Sequence, residues 1–303
     1  MSKSTISTFQ LFEMFPDQET ARLHLESRLW PNGPRCPVCG LVERVTARKD
    51  GFYRCNQCRE DFTVRTGTIF ERSHIPLQKW IYAMYLLMTA RKGISSVQLA
   101  KEIGVTQKSA WFLLHRIREA CGPNLEKLGG IVEIDETYVG GKETNKHESK
   151  KLKTGRGPVG KTAVLGMREH GGRVVAGTID EVDAFTVRPA INKYVEAGST
   201  IHTDDAPIYK NLAGFRHESI NHSAGEYVRG DVTTNGIESV FAVLKRGLIG
   251  VYHSDSPKHL ERYVDEFSFR LNEGNVKHHT LTRLDSLVDG AAGKRLTYKG
   301  LIQ

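Results

Sequence analysis

Apolar and polar positions recur along this chain with two different periods, and the changeover divides it. Up to about residue 125 the spacing is helical. Residues 8–30 predict a short helix, a break at Pro16-Asp17 and a second amphipathic helix, and residues 77–91 predict a strongly apolar one. Ser95 and Thr106 each open a further periodic stretch, with Gly104 between them, which predicts a short capped helix, a turn and a second capped helix. From Ile131 the segments become short and β-rich: 131–139, 162–168 and 173–179. A helix at about 185–196, a strand ending at Asp204 and a short helix from Ala206 to Leu212 follow. Ile237, Val240, Phe241 and Leu244 then mark an amphipathic helix, and Leu260, Tyr263, Val264, Phe267 and Leu271 a covering helix that starts near Pro257.

Three consecutive strands, a helix, a fourth strand and further helices is the order in which a ribonuclease-H-like α/β sheet flanked by helices is built. At 303 residues the chain has room for that sheet and one or two smaller domains.

Cysteine placement adds a metal. Cys36-Pro-Val-Cys39 and Cys55-Asn-Gln-Cys58 are two C-x₂-C knuckles with fifteen residues between the inner cysteines. That is the spacing of a tetrahedral Cys₄ zinc ribbon, with Lys49-Asp50-Gly51 at the hairpin tip. A redox dithiol or chance pairing is the alternative. Four thiolates close the coordination sphere, so such a zinc is structural. The fifth cysteine, Cys121, stands alone and reads as a small buried hydrophobe.

A net charge of +8 favours a polyanionic partner. The longest apolar run, residues 80–88, is too short to span a bilayer, and the first residues lack a signal-peptide core. A soluble cytoplasmic, nucleoid-associated protein with no membrane partner is therefore expected. In the two capped helices, Gln107, Lys108 and Ser109 would approach the DNA major groove and Arg116 and Arg118 its phosphates. The alternative is a helical hairpin whose Trp111, Leu114 and Ile117 only pack. The stretch from Lys142 to Lys161, with Lys150, Lys151 and Lys153, reads equally as a solvated loop or as an arm on DNA phosphates. His222 is either a DNA contact or a structural histidine.

The remaining chemistry is acidic. Asp135 lies in one predicted strand, Asp204 ends another, and Glu238 sits on the amphipathic helix seven residues before Lys245, so those two side chains share one edge. If the three carboxylates converge, their hard oxygens suit Mg²⁺ or Mn²⁺, and two such ions roughly 4 Å apart clamp a phosphoryl transfer. Lys245 could then hold a phosphate. Asn235 with Glu238 also fits a plain capping box, and Asp205 and Glu136 read as bystanders.

The ordered set of these features resembles a known family. The Cys₄ ribbon and helix-turn-helix come first, then residues 134–142 (IDETYVGGK) and His202-Thr-Asp204. Asn221-His222-Ser, residues 234–247 (TNGIESVFAVLKRG) and residues 256–260 (SPKHL) complete it. Together they look like the zinc-ribbon group of DDE insertion-sequence transposases, the IS fifteen-ninety-five type with the ISXO-like transposase domain. The resemblance covers nearly the whole chain. It implies a ribonuclease-H-like catalytic domain in which Asp135, Asp204 and Glu238 bind Mg²⁺ or Mn²⁺ and Lys245 contacts DNA. The implied partners are double-stranded DNA, both element terminal repeats and target, and at least one further copy of the chain. The third acidic slot is Asn in some members and Glu in others, so Asn235 competes with Glu238. The expected division is 1–75 for the first helices and zinc ribbon, 76–125 for the helix-turn-helix, 126–280 for the catalytic domain and 281–303 for a tail. The rivals are a non-catalytic zinc-ribbon and helix-turn-helix regulator on the same scaffold, and a nuclease that never joins strands.

Overall fold

Helix starts in the first part of the chain form where a short polar side chain satisfies first-turn amides that have no partner inside the helix. Ser7 caps α1 (Thr8–Met14) in a reciprocal box with Gln10, and Asp17 caps α2 (Gln18–Leu29), accepting from the Thr20 N–H. A small antiparallel sheet follows, of β1 (Val45–Ala47), β2 (Tyr53–Cys55) and β3 (Asp61–Phe62), with β2 central. Next come α3 (Leu77–Thr89), α4 (Ser96–Ile103) and α5 (Gln107–Ala120). Ser95 and Thr106 cap α4 and α5, and between them Gly104 adopts the left-handed conformation, φ 61°, which a side chain would strain.

The computed structural model describes residues 5–122, 126–141, 145–152, 158–221, 225, 228–253, 256–272 and 278–303. The chain forms two units: residues 1–122 with 273–303, and residues 123–272.

The second unit is a mixed α/β sheet flanked by helices. Its strands β4 (Ile131–Val139), β5 (Thr162–Glu169) and β6 (Val174–Ile179) form an antiparallel meander. Helix α6 (Ala184–Tyr194) then leads into β7 (Thr200–Asp204), which pairs parallel with β4, and β8 (Arg216–Ile220) adds parallel to β7. The order is β6-β5-β4-β7-β8. Helices α7 (Asn235–Gly247) and α8 (Pro257–Asn272) follow.

Pleat alternation sends successive side chains to opposite faces. Val132, Ile134, Leu165, Met167 and Ile201 join Val187 and Ile191 of α6 in one core. Val139, Val164 and Val174 join Ile237, Val240, Phe241 and Leu244 of α7 and Leu260, Val264 and Phe267 of α8 in the other. Glu133 and Asp135, at the alternate positions of β4, therefore face α7.

Three expectations are corrected. The helix expected over Ala206–Leu212 is only a single tight turn, Pro207–Tyr209. A fifth strand, β8, was not foreseen. Finally, residues 281–303 are no tail. Helix α9 (Thr280–Asp289) buries Leu284, Leu287 and Val288 in the first unit against α2, α3 and α5, and α10 (Tyr298–Ile302) follows it. The second unit accordingly ends at Asn272 and not at residue 280. No helix among the described residues is long and apolar enough to cross a membrane.

Candidate metal centres

The first centre is local. In each knuckle the amide of the residue that follows the second cysteine closes back on the carbonyl of the first: Gly40 N–H donates to Cys36 O at 2.9 Å and Arg59 N–H to Cys55 O at 2.8 Å. Both Gly40 (φ 74°) and Arg59 (φ 60°) are left-handed, so the two turns match although only one carries glycine. The four sulfurs, Cys36, Cys39, Cys55 and Cys58, all lie within 4.8 Å of one another, and Cys39 Sγ is 3.6 Å from Cys55 Sγ. A tetrahedron of zinc–sulfur bonds near 2.3 Å has edges of about 3.8 Å, so the donor set fits zinc. The Cys58 backbone N–H, aimed at Cys55 Sγ, is the largest of the effects that lower the Cys55 thiol to about 7, towards the thiolate that a metal requires. Cys121 is buried, its thiol set against Ile117 O, as expected of a small hydrophobe.

The second centre is assembled from distant segments. Glu133 of β4 stands level with His202 of β7 in the parallel ladder. Two residues further along both strands, on the same pleat, come Asp135 and Asp204, on strands about 4.8 Å apart. Helix α7 lies close over them because Asp135's cross-strand neighbour is Gly166. A Cβ there would stand 2.7 Å from Ile237 Cδ1 and 2.8 Å from the Phe241 ring, so only glycine lets the helix that carries Glu238 settle so near.

Asp135 is raised to about 7, mainly by burial and then by the Glu136 carboxylate. Asp204 and Glu238 push it further the same way, against one lowering contact, the Glu136 N–H donated to Asp135 Oδ1 at 2.8 Å. Asp204 Oδ1 accepts from Ala206 N–H at 3.1 Å, and Glu238 Oε1 accepts from the Thr234 hydroxyl at 3.2 Å. Unlike the sulfurs, the three carboxylates do not close to within 4.8 Å of one another. Ligands shared between two ions roughly 4 Å apart need not do so. An all-oxygen, like-charged, partly buried donor set of this kind fits a hard divalent cation.

Several expected bystanders behave as such. Glu136 points to the other face and accepts from the buried Tyr209 hydroxyl at 2.6 Å, and Asp205 is exposed. The capping box also fails: Thr234, not Asn235, holds the cap position, and its side chain caps nothing. Instead Ile237 N–H, in the first turn of α7, donates to Glu133 Oε2 at 2.8 Å. Glu133 went unnoticed in the sequence because its partner lies 104 residues away.

Of the expected DNA contacts, Gln107 and Lys108 are exposed at the start of α5, with Ser109 half-buried. Gln107 donates to Ser96 Oγ at 2.8 Å, and Lys108 Nζ lies 4.7 Å over the Tyr298 ring. Arg116 and Arg118 are corrected: both are buried and cannot reach a phosphate from this position. Arg116 donates to Glu71 O at 2.6 Å and stacks between Trp80 and Phe112, and burial lowers it to about 10. Lys151 pairs with Glu148 at 2.7 Å. Lys245 is half-buried on α7. Lys153, His222 and the Lys150 side chain fall outside the described residues.

Comparison with known proteins covers both units. Residues 127–272 match the family model of the ISXO2-like transposase domain, and residues 16–61 that of the transposase zinc-ribbon domain. Over 257 residues the chain is 32% identical to a protein described as an uncharacterised protein in transposable element ISH50 of Halobacterium salinarum, a match covering 80% of this chain and 86% of that one. A Cys₄ ribbon in the first unit and a mixed sheet in the second, each matched by its family model, define the class, a zinc-ribbon protein with a transposase-type α/β domain. Within that class, the chain belongs to the ISXO2-like insertion-sequence transposases.

Among solved structures, a chain of the simian T-cell lymphotropic virus intasome in complex with PP2A regulatory subunit B56 gamma is 15% identical with TM-score 0.29. That match covers 63% of this chain and less than two thirds, 65%, of the other. A chain of a pre-cleavage Mos1 transpososome is 13% identical with TM-score 0.24, covering 72% and 80%. Likenesses this loose carry no argument.

Proposed function

We propose that the protein binds the ends of an insertion sequence, cleaves them in a reaction dependent on divalent metal, and joins the freed ends to target DNA. One observation carries this reading: Asp135 and Asp204 each lie two residues beyond the paired Glu133 and His202 on neighbouring strands, and the charges of Asp204 and of Glu238 on the overlying helix both act on the partly buried Asp135 carboxyl. Asp135, Asp204 and Glu238 would hold Mg²⁺ or Mn²⁺. Bound there, the ions supply Lewis-acid activation of the attacking oxygen and charge stabilisation of the leaving one. Glu238 is preferred to Asn235 because its charge is one of those felt by Asp135. Lys245, nearly two turns further along the same helix, holds a phosphate of the bound strand as a point charge. The exposed start of α5, with Gln107, Lys108 and Ser109, reads the terminal repeats, and Lys151 reaches phosphates once released from Glu148. Handling two element ends calls for at least a dimer.

The test is to incubate the protein with Mg²⁺ and DNA carrying the element's terminal repeats. Cleavage followed by joining is expected, abolished in Asp135→Ala while DNA binding survives. A mobility shift without cleavage would identify a regulator, and cleavage without joining a nuclease. Full activity in Asp135→Ala would refute the assignment.

A further inference from the structure

Beyond the three carboxylates, the structure shows how the helix carrying the third is fastened. The cap residue of helix α7, Thr234, makes no side-chain cap, and Thr233 Oγ1 takes the Asn235 N–H at 3.1 Å, which leaves the Ile237 N–H to be met from outside the helix. The missing acceptor comes from Glu133, whose side chain is 2% exposed and whose Oε2 takes the Ile237 N–H at 2.8 Å. A carboxylate at a helix start also meets the positive end of the helix dipole. Gly236 makes the approach possible: a Cβ there would lie 2.7 Å from Glu133 Oε1 and closer still to Oε2. Across the ladder from Glu133, Arg168 Nη1 donates to Gly236 O at 2.7 Å and to Ser239 Oγ at 3.1 Å. His170 Nδ1 lies 3.4 Å from Glu133 Oε1. Strand β4 and its neighbour thus grip both the amide and the carbonyl edges of one helical turn, and Glu238 is the residue that follows Ile237.

We infer that Glu133 is a positioning residue: through the Ile237 amide it fixes the first turn of α7 and so sets Glu238 over Asp135, with Arg168 and Gly236 completing the grip. The inference rests on the metal-site reading above. Partners behind a ligand typically change metal affinity by about 10–100-fold when lost, and a comparable effect is expected here.

The experiment uses the full chain and Mn²⁺ as the probe. In metal-free protein, Glu133→Ala should speed hydrogen exchange at the Ile237 amide by at least about tenfold while the β4–β5 amides stay protected. Mn²⁺ affinity measured by calorimetry should fall by about 10–100-fold. Cleavage should slow through kcat, with the affinity for terminal-repeat DNA unchanged. Glu133→Gln keeps an acceptor and should recover part of each loss. Gly236→Ala, which crowds the carboxylate from the helix side, should act in the same direction and serves if Glu133→Ala does not fold. Unchanged Ile237 exchange and Mn²⁺ affinity in Glu133→Ala, or in Gly236→Ala where Glu133→Ala does not fold, would overturn the inference. Asp135→Ala separates the two readings: if it alone abolishes Mn²⁺ binding, the metal site stands without the clamp, and if it leaves Mn²⁺ binding and cleavage intact, the metal site itself falls.

Discussion

The cysteine centre and the proposed carboxylate centre are built on opposite principles. The cysteine site takes all four donors from 23 consecutive residues, Cys36 to Cys58, and its sulfurs already lie at tetrahedral spacing. The carboxylate site takes one donor each from β4, β7 and α7, across more than 100 residues, and holds them looser. A site that only folds a knuckle is best closed, whereas one that must admit a phosphodiester needs open coordination positions. The cost of the second design falls on Asp135, whose carboxyl is partly buried among like charges.

The contrast is broken most severely by removing a sulfur. Cys39→Ser should eliminate bound zinc and unfold the ribbon, because zinc-site free energies of about 10–16 kcal/mol are folding free energy in such domains. Zinc content by mass spectrometry and proteolysis within residues 36–62 would check it, and the second unit should keep its far-UV signal.

Asp135→Asn should instead abolish cleavage while stabilising the metal-free fold. The sign follows from the raised carboxyl. With a folded value of about 7 against 3.8, the folded state holds the proton more tightly, so stability is greatest below about 4 and is lost as pH rises towards 7. Asparagine removes that loss. Melting temperatures of variant and parent should therefore diverge between pH 5 and 7.5 in chelator and converge when Mn²⁺ is added.

Gly166→Val comes next. It drives a branched side chain into Ile237 and Phe241, costing about 1–3 kcal/mol as an overpacked core does, and lifts Glu238 away from the sheet. Urea titration would read the stability and Mn²⁺ calorimetry the displacement. The smallest effect is Arg59→Gly, which relieves the left-handed strain that Gly40 avoids in the matching turn. It should stabilise the ribbon by no more than about 1 kcal/mol, read as a small rise in melting temperature.

The sequence showed most of what depended on near neighbours. The two knuckles, the caps at Ser95 and Thr106, the apolar stripes of α7 and α8 and the β-rich runs of the meander all declare themselves within a few residues. Strand β8 did not, because Arg216-His-Glu-Ser-Ile220 carries little apolar signal and is a strand through its pairing with β7. Arg116 was placed facing solvent because two of its partners, Glu71 O and the Trp80 ring, belong to segments that precede α5 and were not read as packing on it. Helix α9 was readable from Leu284, Leu287 and Val288 alone, but taking the last residues for a tail concealed it. Of the proposed carboxylate site, the three acidic candidates could be picked from the sequence. The fastening through Glu133, Gly236 and Arg168 was not, since each contact joins residues 68 or more positions apart.

Helix α9 also falls late in the order of synthesis. Residues 123–272 hold every strand of the large sheet and are synthesised before α9. The sheet-bearing unit is thus one continuous stretch, while the helical unit needs α9, made after it, to pack against α2, α3 and α5. A chain cut short at its end would keep the acidic centre and lose the integrity of the unit proposed to recognise DNA.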